Sequence, residues 1–134
     1  VDPELSTSLE GRRVLVVDDD MRNVYALSEL LESRGLLVEL AADGQEALDV
    51  LARSDAFDAV LMDMMMPVMD GYEATRRLRE DPRWKELPVI ALTAKAARDD
   101  RARCLEAGAS DYLTKPVDID RLLSILEVWI GGAE

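Results

Sequence analysis

The chain has 134 residues, 49% apolar and 33% charged, with a formal net charge of −12. That profile fits one globular domain with its own core, and the acidic balance excludes nucleic acid and membrane insertion as direct contacts while favouring divalent cations and basic protein surfaces. One cysteine, Cys104, leaves no intrachain disulfide, and the complete lack of histidine excludes His-based catalysis, His–metal ligation and a phosphohistidine in this chain.

The chain opens on Val1, which reads as the start of a piece cut from a longer protein. Residues 1–11, "VDPELSTSLEG", are polar and aperiodic and are expected to be linker or vector-derived residues. From residue 12 onward, short apolar runs alternate with stretches of helical spacing. "RVLVV" (13–17) is the first run, followed by a helix carrying Val24, Leu27, Leu30 and Leu31. "LVELA" (37–41) precedes a helix with Ala47, Leu48 and Leu51. "DAVLM" (58–62) precedes one with Tyr72, Thr75 and Leu78. "PVIAL" (88–92) leads to "ARDDRARCLEAG", which Gly108 should close as a C-cap. "DYLT" (111–114) leads to a last helix with Ile119, Leu122, Leu123, Leu126 and Ile130, which Asp118 should N-cap.

Five βα units in strict alternation predict an α/β fold: a doubly wound, five-stranded parallel sheet with helices on both faces. The expected domain spans residues 12–130, with 131–134 as a tail. No apolar run is long enough to span a bilayer and no signal peptide is visible, so a cytoplasmic location is expected.

Ligands of open α/β sheets bind outside the carboxyl ends of the strands. The first strand runs into Asp18 and Asp19, the third into Asp63, the fourth into Thr93 and the fifth into Lys115. A strand order of 2-1-3-4-5, the flavodoxin-like order, sets the first and third strands side by side at the switch point. Carboxylates gathered at a dry edge need a cation. Hard oxygen donors at an open site suit Mg²⁺ (or Mn²⁺), which keeps waters and leaves room for a phosphate. With the Lys115 ammonium and the Thr93 hydroxyl nearby, this is a phosphoryl site in which Asp63 can attack phosphorus.

At these residues the chain resembles the receiver domain of two-component response regulators. The resemblance rests on "VLVVDDD", "VLMDMMMPVMDGYE", "VIALTAKA" and "GASDYLTKPVD", in that order and at matching separations across 12–130. It implies that Asp63 is the phosphoacceptor. It implies that Asp18, Asp19, Asp63 and the backbone carbonyl of Met65 hold the metal, and that Thr93 and Lys115 contact the phosphoryl group. Tyr112 would be the aromatic that changes rotamer, and residues 95–130 the surface that responds. The Lys115–Pro116 bond is expected to be cis. The implied partners are a histidine kinase or histidine phosphotransfer domain and a possible downstream output domain. The wording of the last two motifs looks most like receivers attached to hybrid histidine kinases. Such a domain is a phosphoacceptor that assists its own phosphorylation and dephosphorylation, so its status as an enzyme is left open.

Asp18 to Glu29 mimics an EF-hand loop, but Arg22 and Asn23 break its pattern. The methionines of "MDMMMPVM" are expected to fill core gaps rather than bind copper, and Asp20 to cap a helix. The alternative function is an aspartate-nucleophile phosphatase of the haloacid-dehalogenase type. Its nucleophile would sit on the first strand in a D-x-D-x-[TV] setting, which Asp18–Arg22 does not supply.

Overall fold

The computed structural model describes residues 9–54, 56–66, 68–94 and 98–130, apart from the side chains of 98–100. Its strands are β1 (Arg13–Val17), β2 (Leu37–Ala41), β3 (Ala59–Asp63), β4 (Val89–Thr93) and β5 (Asp111–Thr114). They form one parallel sheet in the order β2-β1-β3-β4-β5. The three central strands are apolar on both faces because both faces are covered. The edge strands β2 and β5 are only partly buried.

The helices between them are α1 (Met21–Glu32), α2 (Gly44–Arg53), α3 (Gly71–Glu80), α4 (Arg98–Ala107) and α5 (Ile119–Ile130), with a 3₁₀ turn at Pro82–Trp84. Alternate strand residues feed two cores. Val14, Val16, Leu61, Ile90 and Leu92 meet Val24, Leu27 and Leu31 of α1 and Leu122, Leu123 and Leu126 of α5. Leu15, Val17, Val60, Met62 and Ala91 meet Ala47 and Leu51 of α2, Leu78 of α3 and Cys104 of α4. Aspartates start four of the helices, Asp20 and Asp118 as the sequence suggests and Asp43 and Asp70 besides. Asp20 accepts from the Arg22 N–H, Asp43 from Glu46 and Asp70 from Glu73, while Asp118 accepts from Asp120. Gly108 closes α4 at φ +112°, a conformation that favours glycine.

β3 and β4 end at Asp63 and Thr93, the residues the sequence sets at their ends, although each starts one residue later than its apolar run. Asp63 stands opposite Leu92 and Thr93 opposite Thr114. The stretch read as linker does not extend to residue 11. Leu9 is buried against the α1–α5 core, and the Gly11 N–H donates to the Gly35 carbonyl at 2.8 Å. The remainder of that stretch and the 131–134 tail lie outside the described residues.

Candidate functional site

Strand pairing carries Asp18 to the sheet edge: its N–H donates to the Ala41 carbonyl at 3.1 Å. The side chain is buried, with one carboxylate oxygen taking the Asp20 N–H at 2.9 Å and the other the Lys115 ammonium at 3.1 Å. Asp63 is likewise buried at the end of β3. Its Oδ1 accepts from the Met65 N–H at 3.2 Å and lies 3.3 Å from Lys115 Nζ. Asp19 faces solvent, yet one oxygen from each of Asp18, Asp19 and Asp63 falls within 4.8 Å of the others. The sequence-predicted acids and the lysine therefore converge, across a separation of 97 residues between Asp18 and Lys115.

Two buried carboxylates, Asp18 and Asp63, share the Lys115 ammonium with a third acid close by, and the electrostatics register the imbalance. Burial, with a further push from Asp18, raises Asp63 from the ordinary 3.8 to about 6, although the Met65 N–H and Lys115 pull the other way. Burial also works against the charge of Lys115. Its hydrogen bond to Asp18 and the nearby Asp63 outweigh that and hold its pKa above the ordinary lysine value. Hard oxygen donors at this spacing, one of them open to water, fit a small divalent cation that retains part of its hydration.

Thr93 is buried at the end of β4, one strand from Asp63. Its carbonyl accepts the Lys115 N–H at 2.7 Å, so β4 positions the lysine's backbone. The Lys115–Pro116 peptide is cis, as expected. Tyr112 pairs with Ala91, two residues before Thr93, which sets both on the α2–α4 face of the sheet. Its hydroxyl accepts from Arg101 Nη1 at 3.1 Å. Met65 is exposed, but its backbone borders the Asp63 carboxylate through the N–H already described. Of the responding surface, residues 95–97 lie outside the described residues.

Sequence reasoning missed what closes the floor of the site. The start of α3 runs directly under the β3 end, where the Gly71 N–H donates to the Met64 carbonyl at 3.2 Å. A Cβ on residue 71 would sit 2.8 Å from Met64 Cα and collide with the Asp63 carbonyl, so only glycine fits. Between them Val68 holds φ +69°, unusual for a β-branched residue. The glycine was visible in "MDG", but only as punctuation between elements.

Comparison with known proteins follows the same outline. The profile of the response regulator receiver domain matches residues 14–127. Response regulator PleD of Caulobacter vibrioides is 47% identical over 106 residues, which cover 79% of this chain and 23% of PleD. Response regulator MprA of Mycolicibacterium vanbaalenii is 47% identical over 84% of this chain and 47% of its own length. The chain thus spans about half or less of these two relatives. Among solved structures, the receiver domain of a Pseudomonas aeruginosa sensor histidine kinase is 43% identical with a TM-score of 0.83. The match covers 90% of this chain and 98% of that one, and a magnesium ion is coordinated in its active site cleft. The receiver domain of Saccharomyces cerevisiae Ssk1, in complex with the histidine phosphotransfer protein Ypd1, is 28% identical with a TM-score of 0.85, covering 91% of this chain and 90% of the matched chain. Nothing in these matches favours the haloacid-dehalogenase alternative, and no helix among the described residues is long and apolar enough to cross a membrane. With strand order, edge chemistry and sequence profile in agreement, the chain belongs to the response regulator receiver domain family, the phosphoryl-accepting modules of two-component signal transduction.

Proposed function

We propose that Asp63 is the residue of this receiver that takes the phosphoryl group, with Lys115 and Thr93 as its partners in the transfer. The observation that carries this reading is the buried Asp63 carboxylate, 3.3 Å from Lys115 Nζ and grouped with two further acids. In the reaction a carboxylate oxygen of Asp63 attacks phosphorus. A P–O bond forms as the P–N bond to the donor imidazole breaks, and the imidazole leaves as neutral histidine once protonated. Without a cation Asp63 is ionised above about pH 6, and a bound cation would extend that range to lower pH. Lys115 sits where charge builds on the phosphoryl oxygens, and the Thr93 hydroxyl can donate to one of them. The Met65 N–H holds Asp63 in orientation. Asp18, Asp19, Asp63 and the Met65 carbonyl would hold Mg²⁺ (or Mn²⁺), which supplies positive charge against the transferring group.

Phosphorylation adds negative charge and acceptor oxygens next to Thr93. Thr93 then turns toward the phosphoryl group and Tyr112 follows it inward, which alters the surface over 95–130. Partners on this reading are a histidine kinase or histidine phosphotransfer domain upstream and an output domain downstream. Cytoplasmic residence within a hybrid histidine kinase is the setting we favour. The test is incubation with acetyl phosphate and Mg²⁺. A receiver gains one acid- and base-labile phosphate per chain, and chelation prevents it. Continuous release of phosphate over many turnovers would instead mark a phosphatase.

A further inference from the structure

α4 is poorly secured by apolar packing. Cys104 and Ala107 are its buried residues among those described, and Leu105 points to solvent. Two arginine–ring contacts compensate. The Arg103 guanidinium lies 4.2 Å from the centre of the Tyr72 ring of α3, and the Arg101 guanidinium lies 5.7 Å from the centre of the Tyr112 ring of β5. In the second contact, Arg101 Nη1 also donates to the Tyr112 hydroxyl at 3.1 Å. One exposed side chain thus touches both the face and the polar tip of the same ring, and so directs the hydroxyl toward α4 and solvent. An inward rotation of that ring has to give up both contacts.

We infer that Arg101 is a positioning residue that latches Tyr112 in its outward rotamer and so biases the unphosphorylated domain toward its resting form. The inference rests on the switch role proposed above for Tyr112. A ligand shifts two states only by its differential affinity for them, and its apparent affinity falls with the fraction of competent protein. Removing the latch therefore raises affinity for a phosphoryl mimic. Loss of affinity is what mere damage to α4 would produce, so the direction separates the two.

The experiment titrates the intact domain with beryllofluoride in the presence of Mg²⁺, by calorimetry. Arg101→Ala should bind about threefold more tightly than wild type, the scale of one exposed cation–π contact with a hydrogen bond. Arg101→Lys, which keeps the charge and a donor, should return most of the way to wild type. Arg103→Ala, which loosens α4 without touching Tyr112, should not tighten binding. In a Tyr112→Ala background the effect of Arg101→Ala should vanish. Unchanged or weaker binding by Arg101→Ala overturns the latch, as does equal tightening by Arg103→Ala or persistence of the effect without Tyr112. If wild type binds no beryllofluoride, the acceptor reading itself fails. The latch is then judged on amide exchange in the mimic-free protein: faster exchange over 111–114 in Arg101→Ala supports it, and unchanged exchange refutes it.

Discussion

The two ends of the sheet both bury charge, and they treat it in opposite ways. At the amino end, around the start of β4, Arg79 of α3 is half-buried with no carboxylate partner among the described residues. Its guanidinium donates to the carbonyls of Trp84, Leu87 and Gly108 at 2.7–2.8 Å and to the Ser110 hydroxyl at 3.3 Å. Neutral acceptors thus satisfy one charge and tie α3, the 3₁₀ turn, α4 and β5 together. At the carboxyl end, Asp18 and Asp63 share the Lys115 ammonium, and Asp19 adds a third carboxylate beside them. A charge whose hydrogen bonds are met serves the fold, whereas a surplus of like charge held in place calls for a ligand.

The comparison breaks most sharply at Arg79. Arg79→Met keeps much of the apolar stem and removes every donor, leaving part-buried carbonyls unpaired. We expect a loss of about 3 kcal/mol in denaturant unfolding, with the slope unchanged. A loss below about 1 kcal/mol would mean that the amino end does not depend on this hub.

The carboxyl end should respond in the other direction. Asp63 holds its proton in the folded state up to about pH 6, while the unfolded chain releases it near 3.8. Between those values the folded state binds more protons, so this group's contribution to stability falls as pH rises and stays lost above about 6. Asp63→Asn should therefore stabilise the metal-free domain at pH 7.5 by about 2 kcal/mol, with the gain shrinking toward pH 4. Urea unfolding at the two pH values in chelator checks both size and trend, and a destabilised variant at pH 7.5 would contradict it.

Mg²⁺ should relieve the same crowding. Because it binds the folded form, millimolar Mg²⁺ should raise wild-type stability by about 1 kcal/mol at neutral pH. The gain should disappear in Asp18→Ala. An equal gain in that variant, read as a melting temperature, would separate the cation from the acid cluster.

The smallest effect sharpens the contrast. Arg77 lies two residues before Arg79 on the same helix and makes an exposed i,i+4 pair with Glu73 at 2.8 Å. Arg77→Ala should change unfolding free energy by less than about 0.5 kcal/mol. A cost comparable to that of Arg79→Met would show that position on α3, not hydrogen-bond satisfaction, sets the energetics.

The carboxyl end was legible in the sequence because each strand announces its own end. Val14–Val17 stop at Asp18, and "VLM" stops at Asp63, so a parallel topology alone brings the acids together. Only the starts of β3 and β4 slipped, by one residue each, because their ladders begin at Ala59 and Val89. The amino end was not legible. In "RRLRE" three arginines look like one solvated face. Only the distant carbonyls of Trp84, Leu87 and Gly108 distinguish Arg79 from its neighbours. Arg101 hid in a charged helix for the same reason. Trp129 is 42% exposed, and its indole N–H donates to Asp111 at 3.2 Å. Such pairings depend on three-dimensional neighbours that no local spacing encodes.

The central claim is that surplus charge at the carboxyl end exists to receive a phosphoryl group on Asp63. The most direct measurement is chemical trapping. The domain is incubated with acetyl phosphate and Mg²⁺, reduced with borohydride, digested and sequenced by mass spectrometry. An acyl phosphate is reduced to the alcohol, so residue 63 should appear as homoserine, and only when donor and Mg²⁺ are both present. Homoserine at Asp18 or Asp19, or an unmodified Asp63 in protein that has taken up phosphate, would contradict the account.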